Sequence, residues 1–182
     1  MGLRNFGLSS LCQDDLDAVP PTSQRTANLN VRDAMTNLTS QNPKQTTFIL
    51  DCDSSPGRSK AIKGYSPCIT RSRGSGHWIT SRGRRMTREE MMRLQGMNPI
   101  SFNLVVSLSQ LGQQIGNSMS LNVLERLFVR LLPAADLSEK LVDRWETGQA
   151  LEALKRSRGK TFKSVIPPRK KGGVKGKDKG DR

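Results

Sequence analysis

Gly116-Asn117-Ser118 opens a segment whose apolar side chains fall at Met119, Val123, Leu124, Leu127, Phe128 and Leu131. That spacing predicts an α-helix from about Asn117 to Leu132, ended by Pro133, with one face apolar throughout. The helix constrains the fold because its apolar face needs a cover, and the chain has little to spare for one. Only 34% of its 182 residues are hydrophobic and 4% aromatic, which allows one modest core. The face must lie on the helix after Pro133, on a partner, or in solvent. The free N–H groups at such a helix start are placed to meet a polar ligand. A plain N-cap accounts equally well for one of Asn117 and Ser118.

Other elements read from local signals. Thr46–Asp51 has strand composition, closed by the turn cluster Asp53-Ser54-Ser55-Pro56-Gly57; Tyr65–Thr70 and His77–Thr80 are two further extended candidates. Thr87 makes a good N-cap with Glu90 as its capping-box partner and Gly96 as the stop, and Glu89 and Glu90 are at pairing distance from Arg93. Ser107–Gln114 reads as a short helix before the glycine turn. Another helix is expected from Asp136 with Glu139 as its capping partner, presenting Leu137, Leu141, Val142, Trp145 and Leu154, with Gly148 weakening its middle. Before residue 47 the chain is polar; neither Leu8, Leu11 and Leu16 nor Val31–Met35 carries enough apolar surface to order a helix unaided.

The net charge of +14 suggests nucleic acid, but it is unevenly spread. Residues 155–182 hold twelve Lys/Arg against two Asp, a surplus of ten; the rest holds eighteen against fourteen, a surplus of four. Beyond residue 156, Lys, Gly and Pro dominate and disorder is expected. Ile166-Pro167-Pro168-Arg169-Lys170-Lys171 offers nucleic-acid attraction or nuclear targeting. Cys12, Cys52 and Cys68 are too few and too spread for a disulfide framework, and with His77 as the single histidine they give no usual zinc ligand set. No apolar run is long enough to span a membrane, and the first residues show neither a secretory core nor a myristoylation pattern, so an intracellular, reducing location is expected.

Two blocks in order carry a family resemblance. Arg85-Met86-Thr87-Arg88-Glu89-Glu90-Met91-Met92-Arg93-Leu94-Gln95-Gly96 is similar to R-x-L-T-x-x-E-x-x-R-L-Q-G, and Gln114-Ile115-Gly116-Asn117-Ser118-Met119 to Q-x-G-N-S/A-V/M. Together they resemble the closing segments of DNA cytosine-5 methyltransferases. Glu89 replaces the usual arginine before the glutamate, and Met97-Asn98-Pro99 replaces Phe-Pro.

The resemblance implies a Rossmann-like core binding S-adenosylmethionine, a separate target-recognition domain, and covalent catalysis on an extruded cytosine of DNA. It places Gly116, Asn117 and Ser118 at the cofactor, with Gly116 permitting the turn. It sets Thr70, Arg71, Ser72 and Arg73 against DNA phosphates, although a flexible Arg-x-Arg loop by itself is usually only solvated. Arg85, Thr87, Glu90, Arg93, Gln95 and Gly96 would pack the recognition domain on the core. By the same resemblance, residues 1–63 belong to a variable, recognition-domain part and 64–134 to the conserved segment; 135–156 is the C-terminal helix and 157–182 a disordered basic tail.

The implied fold is an α+β fragment: short strands followed by three helices, the C-terminal part of a Rossmann-like methyltransferase. The sequence has no F-x-G-x-G turn for the cofactor, no Glu-Asn-Val element, and only Gln24-Arg25 where Q-x-R-x-R would stand. Pro67-Cys68 matches the nucleophile's dipeptide but follows where the family has it, so no catalytic residue is assigned. The expectation is a chain inactive alone, either a truncated product or one piece of a larger enzyme to which a second chain would supply the core. The alternative is a non-enzymatic nucleic-acid-binding protein that uses the tail and the Arg loop.

Overall fold

A computed structural model describes residues 18–158, 160 and 163–164. Leu8, Leu11, Leu16 and the basic run 169–171 lie outside the described residues. Among the described residues the architecture is α+β, a small antiparallel sheet with five helices. Strands β1 (Phe48–Leu50), β2 (Ala61–Lys63), β3 (Trp78–Ile79) and β4 (Arg84–Arg85) lie in the order β2-β1-β3-β4. Leu50 pairs with Ala61 on one side and Trp78 on the other, and Trp78 with Arg85.

Alternation along the strands gives the sheet two buried faces. Leu50 and Trp78 point to one, where Ala27 and Val31 of α1 (Arg25–Asn37) meet them with Cys52. Ile49 and Ile79 point to the other, joining Met86, Met91 and Met92 around α2 (Arg88–Leu94) and Ile115 of α3 (Leu108–Asn117). Val31–Met35, too poor in apolar surface to order a helix unaided, lies in α1 and is held there by partners elsewhere in the chain. Its support is distant in sequence: besides the apolar contacts, the Asn30 amide donates to the carbonyls of Cys52 at 2.9 Å and Ser54 at 2.8 Å.

The capping box of α2 forms as expected: Thr87 Oγ1 accepts from the Glu90 amide at 3.2 Å and Glu90 returns to the Thr87 amide at 2.8 Å. Gly96, at φ +78°, ends the helix. Tyr65–Thr70 forms no strand, and Arg71–Arg73 is a single 3₁₀ turn.

The later helices differ from expectation. Gly116 is helical, and α3 continues through Asn117 to a C-cap at Ser118. The next helix, α4 (Leu121–Ala134), starts after Ser120 and contains Pro133 in its last turn. The continuous helix expected from Asp136 is broken, and α5 occupies only Gln149–Arg156. Asp143 causes the break: its Oδ1 takes the amides of Trp145 at 2.9 Å and Glu146 at 3.1 Å, diverting them from a helical ladder. Gly148 then turns at φ +79° into α5. Finally, Lys163–Ser164 (β6) pairs in parallel with Asn103–Leu104 (β5).

Candidate functional site

A cleft of about 490 Å³ opens between the segment Tyr65–Thr70 and the junction of α3 with α4. Gly116 and Ser118 line it, as do Pro67, Cys68, Thr70, Leu94, Gln95 and Ser120. Asn117 stands exposed at the last position of α3. These three residues therefore sit at a helix C-terminus, whose unpaired groups are carbonyls; the N–H end of α4 lies a few residues on. Ser118 Oγ donates to the Ile115 carbonyl at 2.7 Å, closing α3.

Gln95 builds the floor of the junction. Its carbonyl accepts from the Leu121 amide at 2.7 Å, its Oε1 from Ser120 Oγ at 2.6 Å, and its Nε2 donates to the Ile115 carbonyl at 3.4 Å. One buried side chain thus ties the end of α2 to the end of α3 and the start of α4.

Gly116 serves close packing rather than a turn. A Cβ there would lie closer than 3.0 Å to the Thr70 carbonyl and the Arg71 nitrogen. One turn earlier, a Cβ on Gly112 would collide with the Gly74 carbonyl. The two glycines lay α3 backbone-to-backbone on the 70–74 segment. The structure thereby brings together the two residue sets expected at cofactor and DNA, through a seam with no side chain between them.

Within that segment, Thr70 Oγ1 and Ser72 Oγ are 3.1 Å apart and both residues are exposed. Arg71 is exposed and pairs with no carboxylate among the described residues. Arg73 is different: its Nε lies 2.7 Å from Asp51 Oδ1 and 2.8 Å from Oδ2, with the N–H aimed at Oδ2. Oδ1 is left buried without a well-directed donor. Burial alone would raise the Asp51 carboxylate, but the bonds from Arg73 and Ser54 outweigh it and hold it below its ordinary value. Arg73 is chiefly an anchor for the loop, and Arg71 is its free cation.

His77 is buried behind the loop, Nδ1 3.9 Å from Asp51 Oδ1 and Nε2 3.3 Å from the Cys68 carbonyl. Burial pulls its pKa below the ordinary imidazole value, and Asp51 only partly opposes this. It is a packed histidine bracing the cleft wall. The Cys68 thiol is exposed on that wall, its Sγ 4.0 Å from the Ile69 carbonyl, while Arg73, a possible neighbour, is held by Asp51. Cys52 is buried, which pushes its thiol up to about 11.

Residues 82–90 form a second polar layer with Asp53. Glu90 receives Arg82 at 2.7 Å and Arg84 at 2.9 Å, and Arg85 pairs with Asp53 at 2.8 Å across the sheet. Burial would raise the Glu90 carboxyl, yet Arg84, the Thr87 amide and Arg82 together keep it lowered. The contributions of Asp51, Asp53 and Ser120 were not predicted, since their partners lie far along the chain and no local pattern marks them.

Among the described residues no cluster of His, Cys, Asp and Glu could hold a metal ion, and no helix is long and apolar enough to cross a membrane. A family model described as C-5 cytosine-specific DNA methylase matches residues 15–132, well over half of the chain. No curated protein and no solved structure matches it.

Proposed function

The chain belongs to the C-5 cytosine-specific DNA methylase family, and from that premise we propose that it supplies the closing part of a DNA cytosine-5 methyltransferase. The observation that supports this reading is the glycine seam, which joins in one wall the 70–73 loop, read as meeting DNA, and the end of α3, read as meeting the cofactor. On this reading Arg71, with Thr70 and Ser72, rests against the phosphate backbone while Arg73 fixes the loop from behind. Residues 64–134 act as the conserved segment and 1–63 extend the recognition part.

The family uses S-adenosylmethionine, whose sulfonium carries the methyl group to be transferred. The cleft suits one edge of such a ligand. Ser118 and Ser120 offer hydroxyl oxygens that can still accept, Pro67 and Leu94 give an apolar wall, and Gly116 keeps the wall open. Asn117, exposed beside them, would close over the ligand's polar side. The glycine-rich turn and the Glu-Asn-Val element are missing from these 182 residues. We therefore expect no methyl transfer from this chain alone, and completion by a second chain carrying the core. The uncovered apolar face of α4 is the surface such a chain would take.

Calorimetry with S-adenosylmethionine and a methyl-transfer assay on cytosine-containing DNA test this together. The expected result is neither binding nor transfer by the chain alone, and both after addition of a core chain. Binding and transfer by the isolated chain would overturn the incompleteness and make Cys68 the first residue to replace. The surplus of ten positive charges in 155–182 favours a second reading, a non-enzymatic nucleic-acid binder. It requires that removing residues 157–182 abolish most binding.

A further inference from the structure

His77 is the single histidine of the chain, and its buried ring faces an acceptor at each nitrogen. Nε2 lies 3.3 Å from the Cys68 carbonyl, and Nδ1 lies 3.9 Å from Asp51 Oδ1. A neutral imidazole carries one N–H, so either tautomer leaves a ring lone pair turned on an oxygen lone pair. Only the imidazolium offers a proton to both. Asp51 Oδ1, the oxygen on the Nδ1 side, is also the buried atom that has no well-directed donor.

The surroundings keep that proton away. Burial opposes the charged ring most, and Arg73 on the same carboxylate adds to the opposition; Asp51, the Cys68 carbonyl and Asp53 favour it. Asp53 is itself paired with Arg85, and the nearby Cys52 thiol, pushed up to about 11, stays neutral. Arg73 and His77 therefore compete for one counter-ion, Asp51. The other bonds of Arg73 are long, to Ser72 Oγ at 3.3 Å and Ser54 Oγ at 3.4 Å, and a quarter of its side chain meets solvent. An arriving phosphate that drew Arg73 away would leave Asp51 with Ser54 on Oδ2 and no counter-charge except what His77 can supply.

We propose that His77 takes a proton from solvent when Arg73 turns from Asp51 to a phosphate, so that the loop gains a second phosphate-binding cation with uptake of one proton. Arg73 fixes the loop for as long as Asp51 holds it, and the exchange adds it to Arg71. This rests on the reading that the 70–73 loop meets DNA, and adds that the contact is linked to pH. The linkage works between the ring's pKa in the free chain, below the ordinary imidazole value, and its higher pKa with DNA bound. Outside that window binding takes up no proton.

Calorimetry of the whole chain with a short DNA duplex, in two buffers of different ionisation enthalpy, counts the protons taken up. NMR of the single imidazole identifies the group that takes them. The expected result is an uptake approaching one proton, a ring signal that moves to its protonated position on binding, and affinity rising up to about tenfold per unit fall in pH. Arg73→Gln should raise the titration of His77 in the free chain and remove the uptake. His77→Gln, whose amide can still donate to the Cys68 carbonyl, should remove the pH dependence. Binding that Arg71→Ala weakens but that takes up no proton overturns the exchange and leaves the DNA-facing loop standing. An unmoved His77 titration in Arg73→Gln overturns the competition for Asp51, with no DNA needed. No duplex binding, or binding that Arg71→Ala leaves unchanged, overturns the reading of the loop and the exchange with it.

Discussion

At the scale of single residues, Gly116 and Gly112 do what no other side chain could do in their places. Apart from Arg88 Nε beside Gly112, the atoms that a Cβ would strike are backbone atoms of Thr70, Arg71 and Gly74, which cannot swing aside as the tip of a side chain can. Gly116→Ala should therefore cost about 1–3 kcal/mol, the usual range for overpacking. Urea unfolding should show a lower midpoint with an unchanged slope, and an unmoved midpoint would mean the seam can part without cost. The sequence allowed Gly116 to be read as a turn residue because tight turns and close backbone approach look identical in one dimension. The spacing of Gly112 and Gly116, one helical turn apart, was the available clue. Arg73 was legible as a loop cation but not as a partner of Asp51, twenty-two residues away. Pairings of that kind depend on how β1 and β3 come to lie side by side.

At the scale of elements, what was written locally could be read locally. The cap of α2, its glycine stop, β1 and β3 depend on neighbours within a few residues, and each appears close to its expected place. Elements that rest on distant partners were missed or misplaced. α1 needs Leu50, Trp78 and the 52–54 carbonyls, and the expected helix after Asp136 loses its amides to Asp143.

Arg93 illustrates the same dependence. Its Nη2 donates to the carbonyls of Ser157 at 2.6 Å and Lys160 at 2.7 Å, so α2 straps down the segment that leads into β6. Arg93→Ala should release that strap, leaving two carbonyls without their donor while β6 keeps its short parallel pairing. Hydrogen exchange at 157–164 should rise by about an order of magnitude or more, the equivalent of roughly 1–3 kcal/mol for bonds to a charged donor. Residues 86–95 should stay protected. Unchanged exchange at 157–164 would show that the ladder suffices.

At the scale of the whole molecule, the sheet is covered on both faces while α4 lies outside both cores. Met119 at 65%, Val123 at 59%, Leu127 at 52% and Leu131 at 50% exposure trace the stripe that the sequence pattern predicts, and among the described residues nothing covers it. Replacing Val123 and Leu127 together by serine should shift unfolding by less than about 0.5 kcal/mol per site, as for other surface changes. The pair should, however, sharply reduce binding of a hydrophobic dye and any self-association. A large drop in melting temperature instead would mean that the stripe is covered in solution. The seam between α3 and the 70–74 loop has a mechanical corollary. Side-chain layers yield a little under load because rotamers can shift; two backbones in direct contact have no such cushion. The loop and the cleft wall are therefore one rigid lever, and a displacement imposed at Arg71 arrives at Gly116 undamped.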